Sequence, residues 1–149
     1  MATPVQHVSA ELQHLNTSEL TLADEHMDIR DRKVVDVNGD EIGHVSDLFI
    51  DPDMRKVRML EIRTGGFLGF GARHALLPVD AITSITTDTV HVNQTRQHVV
   101  TSPVYDPKLV FAPTHDAWEP YYGYYGLSPY WGEGYMYPDF PVGRRPITD

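Results

Sequence analysis

Asp36, Asn38 and Asp40, followed by Ile42 and then Asp47, stand at the spacing of positions 1, 3, 5, 7 and 12 of a calcium-binding loop. Alternating oxygen donors are what a hard cation needs, yet the pattern fails at two points. The sixth position, where the chain must turn sharply, is Glu41 rather than glycine, and the twelfth is the short Asp47 rather than a bidentate glutamate. The flanks alternate like strands rather than helices. An Asn38-Gly39 hairpin accounts for the same residues, since a type I′ turn needs positive φ at both central positions.

Gly65-Gly66-Phe67-Leu68-Gly69-Phe70-Gly71 has the glycine density of a phosphate loop. A Walker motif would continue with Lys and then Ser or Thr, but the chain continues Ala72-Arg73, and neither the dinucleotide spacing nor a following helix is present. The run reads as a wide loop in which glycines turn the backbone. Phe67, Leu68 and Phe70 then tuck into a core or grip a partner. The eight histidines include no metal spacing such as H-x-x-x-H on one helix, and no nucleophile elbow occurs. Asp47, Asp51 and Asp80 suit turn and edge positions. The residues that could do chemistry therefore point to no enzyme, no catalytic residue, no metal site and no cofactor.

Twelve basic residues face 21 acidic ones, a net charge of −9. That is the wrong sign for nucleic acid or an anionic membrane, where Lys and Arg must neutralise phosphate. The absence of cysteine removes disulfides and thiolate chemistry. No Lys or Arg precedes Arg30, and no apolar run approaches the roughly 20 residues of a membrane span, so a cytoplasmic chain without a secretory signal is expected.

Elements must hold these residues in place. Val8, Leu12 and Leu15 stand at helical spacing, and a second short helix is expected after Ser18 with Leu20 and Leu22. From Ile29 the period changes toward two. Val35 and Val37 alternate with Asp36. Val45, Asp47 and Phe49 are expected on one face of the next strand, and Ser46, Leu48 and Ile50 on the other. Apolar residues on both faces suit a strand covered twice, by the core and by an arm, tail or second subunit. Val57, Met59, Leu60 and Ile62 break alternation as a β-bulge does. Ala75 to Leu77 ends at Pro78, Ile82 and Ile85 lead into a Thr-Thr-Asp turn, Thr89 to Asn93 alternates cleanly, and Thr95 to Val100 suits one helical turn. The expected core is Val35, Val37, Val45, Leu48, Ile50, Leu60, Ile62, Leu77, Val90 and Val92.

Beyond Pro113 the composition changes, and ten of residues 114–149 are aromatic, set among Gly and Pro. Pro and Gly argue against a long helix. Three roles fit such a tail: wrapping its own barrel or a dimer mate, binding another protein through Tyr and Trp, or disorder with self-association.

The order and wording of the middle segment resemble the PRC-barrel family, named for the H subunit of photosynthetic reaction centres. The resemblance spans residues 27–107. It is carried by Asp28-Ile29-Arg30, Val34-Val35-Asp36, Gly39 to Val45, Asp47 to Asp51, Val57 to Ile62, the Gly65–Gly71 run, Leu77 to Ile82, Val90-His91-Val92 and Ser102 to Pro107. It implies a scaffold and interaction fold, often dimeric. In H subunits the domain caps a membrane complex, and in ribosome-maturation factors it docks on a ribosomal protein. This sequence shows neither the membrane helix of the former nor the second domain of the latter, and no catalytic residue carries over.

The expectation is thus a mainly β chain: an N-terminal arm (1–26), a small PRC-type β-barrel of about six strands (27–112) and an irregular Tyr/Gly/Pro-rich tail (113–149). Its expected work is non-enzymatic interaction or assembly, as a homodimer with a protein partner and with neither nucleic acid nor membrane insertion. The alternative is a peripheral accessory of a membrane electron-transfer complex. A small-molecule binder or enzyme is the remaining class. Partner contacts are expected from Phe67, Leu68, Phe70, Trp118, Tyr121, Tyr122, Tyr124, Tyr125, Tyr130 and Trp131.

Overall fold

The computed structural model describes residues 12–16, 21–64, 73–103 and 117–139. A curled, half-barrel sheet dominates it. The strands are β1 (Gln13–His14), β2 (Lys33–Val35), β3 (Glu41–Ile50), β4 (Val57–Thr64), β5 (Arg73–Pro78), β6 (Ile82–Ile85) and β7 (Thr89–Val92). Two helices follow, α1 (Arg96–Val100) and α2 (Glu119–Tyr125). The sheet runs β5-β4-β3-β2-β7-β6, antiparallel except for the parallel β2–β7 pair, and β1 adds to β3 beyond the end of β2. The helix expected at Leu12 and Leu15 is absent. Leu12 is buried, and Gln13 and His14 pair with Ile50 and Phe49 as a short strand instead. Val8, Ser9 and Leu20 lie outside the described residues.

The concave face holds the main core, to which every strand from β2 to β7 contributes, with Met27, Ile29, Val99 and Tyr125 closing it. Every residue of the expected core is buried except Val37, which is 59% exposed. Val37 occupies the turn rather than the strand. Gly39 N–H donates to the Asp36 carbonyl at 3.0 Å, and Asp36 N–H to the Asp40 carbonyl at 2.8 Å. Gly39 alone in this turn has positive φ, at 87°. The hairpin is therefore a type I turn followed by a left-handed glycine, not the type I′ turn expected from Asn38-Gly39.

Two bulges redirect the long strands. Val45 pairs with Ile62 and Asp47 with Glu61, leaving Ser46 as an extra residue in β3. That insertion flips the alternation, so Val45 joins Leu48 and Ile50 in the main core while Phe49 faces the opposite side. The expectation that Val45 and Phe49 share a face is corrected accordingly. In β4, Phe49 pairs with Met59 and Ile50 with Val57, so Arg58 is the extra residue. The bulge expected among Val57 to Ile62 is there, and it lets Val57 and Leu60 both face the main core.

Candidate functional site

The convex face of β3, β4 and β5 carries Phe49, Met59 and Leu76 side by side, an apolar strip that water would wet if nothing lay on it. The tail lies on it. Trp118, Tyr121, Tyr122 and Tyr130 pack there with Leu12, all at most 4% exposed. The Phe49 and Trp118 rings meet edge-on, 5.7 Å between centroids. Pro120 in the first turn and Gly126 just past the end bracket α2. Gly126, at φ 68°, lets its own N–H and that of Leu127 reach back to the carbonyls of Gly123 and Tyr122. Pro and Gly thus punctuate a two-turn helix, and the tail expected to be irregular is helical at the point where it covers the sheet.

Helix α2 is tied sideways to α1. The His98 and Tyr124 rings stack at 4.2 Å, and the Tyr124 hydroxyl donates to the His98 carbonyl at 2.6 Å. Tyr125 turns inward and completes the main core.

Past α2 the tail meets a buried charge. Arg58 Nε donates to Asp51 Oδ2 at 2.7 Å, with side-chain exposures of 5% and 3%. The guanidinium lies 4.6 Å from the centroid of the Tyr130 ring, 5.6 Å from that of Tyr137 and 5.9 Å from that of Tyr135. Desolvated cation–π contacts of this kind contribute up to about 2 kcal/mol each. Tyr135 donates its hydroxyl proton to Asp80 Oδ2 at 2.7 Å, and Tyr137 to the Val57 carbonyl at 3.0 Å. Burial pushes the Asp80 carboxyl above its ordinary value, while the Tyr135 hydrogen bond and the Arg58 charge pull it down less strongly. Burial also holds the hydroxyls of Tyr122, Tyr130, Tyr135 and Tyr137 well above the usual tyrosine value, so they stay neutral donors.

The residues expected to contact a partner are thus divided. Trp118, Tyr121, Tyr122, Tyr125 and Tyr130 are buried within the chain. Tyr124 and Trp131 are half-buried, Trp131 meeting Tyr122 and Tyr130 edge-on at 5.4 and 5.2 Å. Phe67, Leu68 and Phe70 lie outside the described residues.

A family model described as PRC-barrel domain matches residues 25–99, half of the chain. The chain belongs to the PRC-barrel domain family. No curated protein matches it. The match ends within α1, and in this PRC-barrel chain the aromatic cover of residues 117–139 lies beyond it.

The calcium-like spacing is put to other use. Asp36 Oδ1 accepts from the N–H groups of Asn38 and Asp40, and Oδ2 from that of Arg96, each at 2.8 Å. Desolvation works to raise the Asp36 carboxyl, but these backbone donors outweigh it and hold the group below its ordinary value. One carboxylate ties the β2–β3 turn to the start of α1. Among the described residues no group of three or more His, Asp or Glu side chains is placed to hold a metal ion, and no helix is long and apolar enough to cross a membrane.

Arg58, Asp51, Asp80, Tyr135, Tyr137 and His98 make up much of this site and are absent from the sequence-based list. A charged residue set between the apolar Val57 and Met59 was the available signal for Arg58. Nothing in the spacing linked it to tyrosines 72 to 79 positions later.

Proposed function

We propose that this PRC-barrel chain is a non-enzymatic interaction module in which barrel and tail act as one composite surface. The observation that carries this reading is the seat of the tail. The tail fills the convex strip and leaves an apolar rim beside Arg58. Of the three large apolar side chains exposed among the described residues, two stand at this rim. Met54 is 53% exposed with its sulfur 3.6 Å from Arg58 Nη2, and Met136, 83% exposed, sits between Tyr135 and Tyr137. Trp131 lies half-exposed on the same stretch of tail. Met and Trp side chains are adaptable anchors at protein interfaces.

The second apolar face of β3–β5, which suggested another subunit, is covered by the chain itself. Association therefore falls to the rim, and a homodimer built on Met54, Trp131 and Met136 is the assembly proposed. With a net charge of −9, apolar contact at such a rim has to outweigh repulsion between acidic surfaces. Sedimentation equilibrium tests it. The full chain should sediment at no less than twice its 16.9 kDa mass, and Met136→Asp with Trp131→Asp should return it to the monomer. A wild-type monomer at micromolar concentration would contradict the homodimer. An unchanged dimer in the double variant would contradict the rim.

A further inference from the structure

The seat of Arg58 holds two carboxylates for one guanidinium. Asp51 takes the guanidinium directly. Asp80, on the 3-10 turn Val79–Ala81, accepts from Tyr135 through Oδ2, while its Oδ1 is buried with no hydrogen-bond partner among the described residues. The buried Tyr122 hydroxyl has none either. The groups that interact with Asp80 are Arg58 from β4, Tyr122 from α2, and Tyr135 and Tyr137 from the tail, and Arg58 is itself bonded to Asp51. All the tyrosines are neutral. With both carboxylates ionised, Arg58 cancels one of them and the other remains among aromatic rings whose faces are themselves negative, with Lys56 Nζ 4.8 Å from the Tyr137 ring centroid as a further, half-buried cation. With Asp80 protonated, the charges cancel, and a neutral carboxyl is far less costly than a carboxylate to leave buried and half-satisfied.

We propose that Asp80 is a proton-operated latch for the tail: the docked tail encloses its carboxyl at least cost when neutral, and ionisation, although it strengthens the Tyr135 hydrogen bond, places an incompletely solvated charge there and loosens the tail and the cover over Phe49, Met59 and Leu76. The proposal rests on the interaction-module reading and supplies its regulation, since acid seats the tail and a rise in pH frees it and the strip beneath. The sign follows from the direction of the shift. A carboxyl raised by docking contributes its stabilisation fully below its ordinary value and loses it as pH rises through the raised value. One proton changes the docking equilibrium by at most about tenfold per pH unit.

Both tryptophans of the chain, Trp118 and Trp131, lie in the tail, so their fluorescence reports its docking. Acrylamide quenching of the full chain should rise as pH increases from about 4 to about 8. The far-UV circular dichroism of the barrel should stay constant over that range. Asp80→Asn, neutral at every pH, should give low and pH-independent quenching. Tyr135→Phe, which removes a hydrogen bond that pulls the carboxyl down, should move the transition to higher pH, and it carries the test if the asparagine variant does not fold. A flat wild-type profile, an unshifted Tyr135→Phe profile, or an Asp80→Asn protein that still titrates would overturn the latch. Repeated on a Trp131→Phe chain, in which the remaining Trp118 is buried on the strip and outside the proposed rim, the profile reports docking alone, so its failure leaves the test of association at the rim untouched.

Discussion

Arg58 and Asp51 form a buried ion pair across the β3–β4 turn, Nε to Oδ2 at 2.7 Å, at the point where β4 carries one residue too many. The bulge gives the pair its direction. In a regular strand, Arg58, next to Val57, would face away from the main core and stand level with Asp51 only by chance. As the bulged residue it lies beside the turn whose backbone Asp51 also holds, through Met54 N–H to Oδ1 at 2.6 Å. The three tail tyrosines then close over it.

Replacing Arg58 by Met should cost about 3–5 kcal/mol, because it leaves Asp51 buried without its cation. Urea unfolding of the full chain measures this. Adding Asp51→Asn should recover a large part of the loss. A cost below about 1 kcal/mol, the range of exposed pairs, would show that water reaches the site.

At Gly43 the backbones of β3 and β4 come too close for any side chain, and an added Cβ would overlap the Arg63 carbonyl oxygen. Both overlapping groups belong to the sheet, so neither can swing aside. Gly43→Ala is expected to destabilise the chain by about 1–3 kcal/mol, as overpacking does. Unchanged thermal stability would mean that the strands separate here at little cost.

Leu60 and Ile62 are fully buried in the main core, whereas Val37 is 59% exposed. Truncating either core residue to Ala should cost about 2–5 kcal/mol. Val37→Ala should stay within about 0.5 kcal/mol of wild type, as surface changes do. Denaturant midpoints of the three variants check the placement of the core.

Alternation and turn residues made the barrel legible in the sequence. The runs around Val45, Leu60, Leu77 and Val90 are strands in the expected order, and Thr95 does begin a short helix with its side chain on His98 N–H. What misled was local and countable. One extra residue at Ser46 reversed the facing of Val45 relative to Phe49. The β4 bulge showed as broken alternation among Val57 to Ile62, whereas the apolar residues on both faces of β3 hid the one at Ser46, which moves every later side chain to the other face. The tail was legible as sticky, and a cover over its own barrel was among the roles read from it. Its helix was not, because Pro120 and Gly126 look like helix breakers until they are seen to be its ends. The contacts of Tyr135 with Asp80 and of Tyr130 with Arg58 span more than 50 residues, and no local pattern encodes them.

Asp36 ties the β2–β3 turn to α1 through three backbone N–H groups, and its carboxyl lies below its ordinary value. A lowered carboxyl contributes its stabilisation above the unfolded-state value and loses it as pH falls through the folded one. The wild type should therefore lose more stability on acidification than Asp36→Asn, whose amide cannot ionise and whose Nδ2 cannot accept from Arg96. Parallel acid-unfolding curves for the two proteins would contradict this role.

The central claim is that the aromatic tail covers the convex face of its own barrel, with Trp118 seated on Phe49, Met59 and Leu76. The most direct measurement uses a Trp131→Phe chain, in which Trp118 is the sole tryptophan. Its emission and acrylamide quenching are followed across a dilution series at acidic pH. Blue-shifted emission and strong protection that do not change with protein concentration are expected. Solvent-like emission, or protection that disappears on dilution, would contradict it.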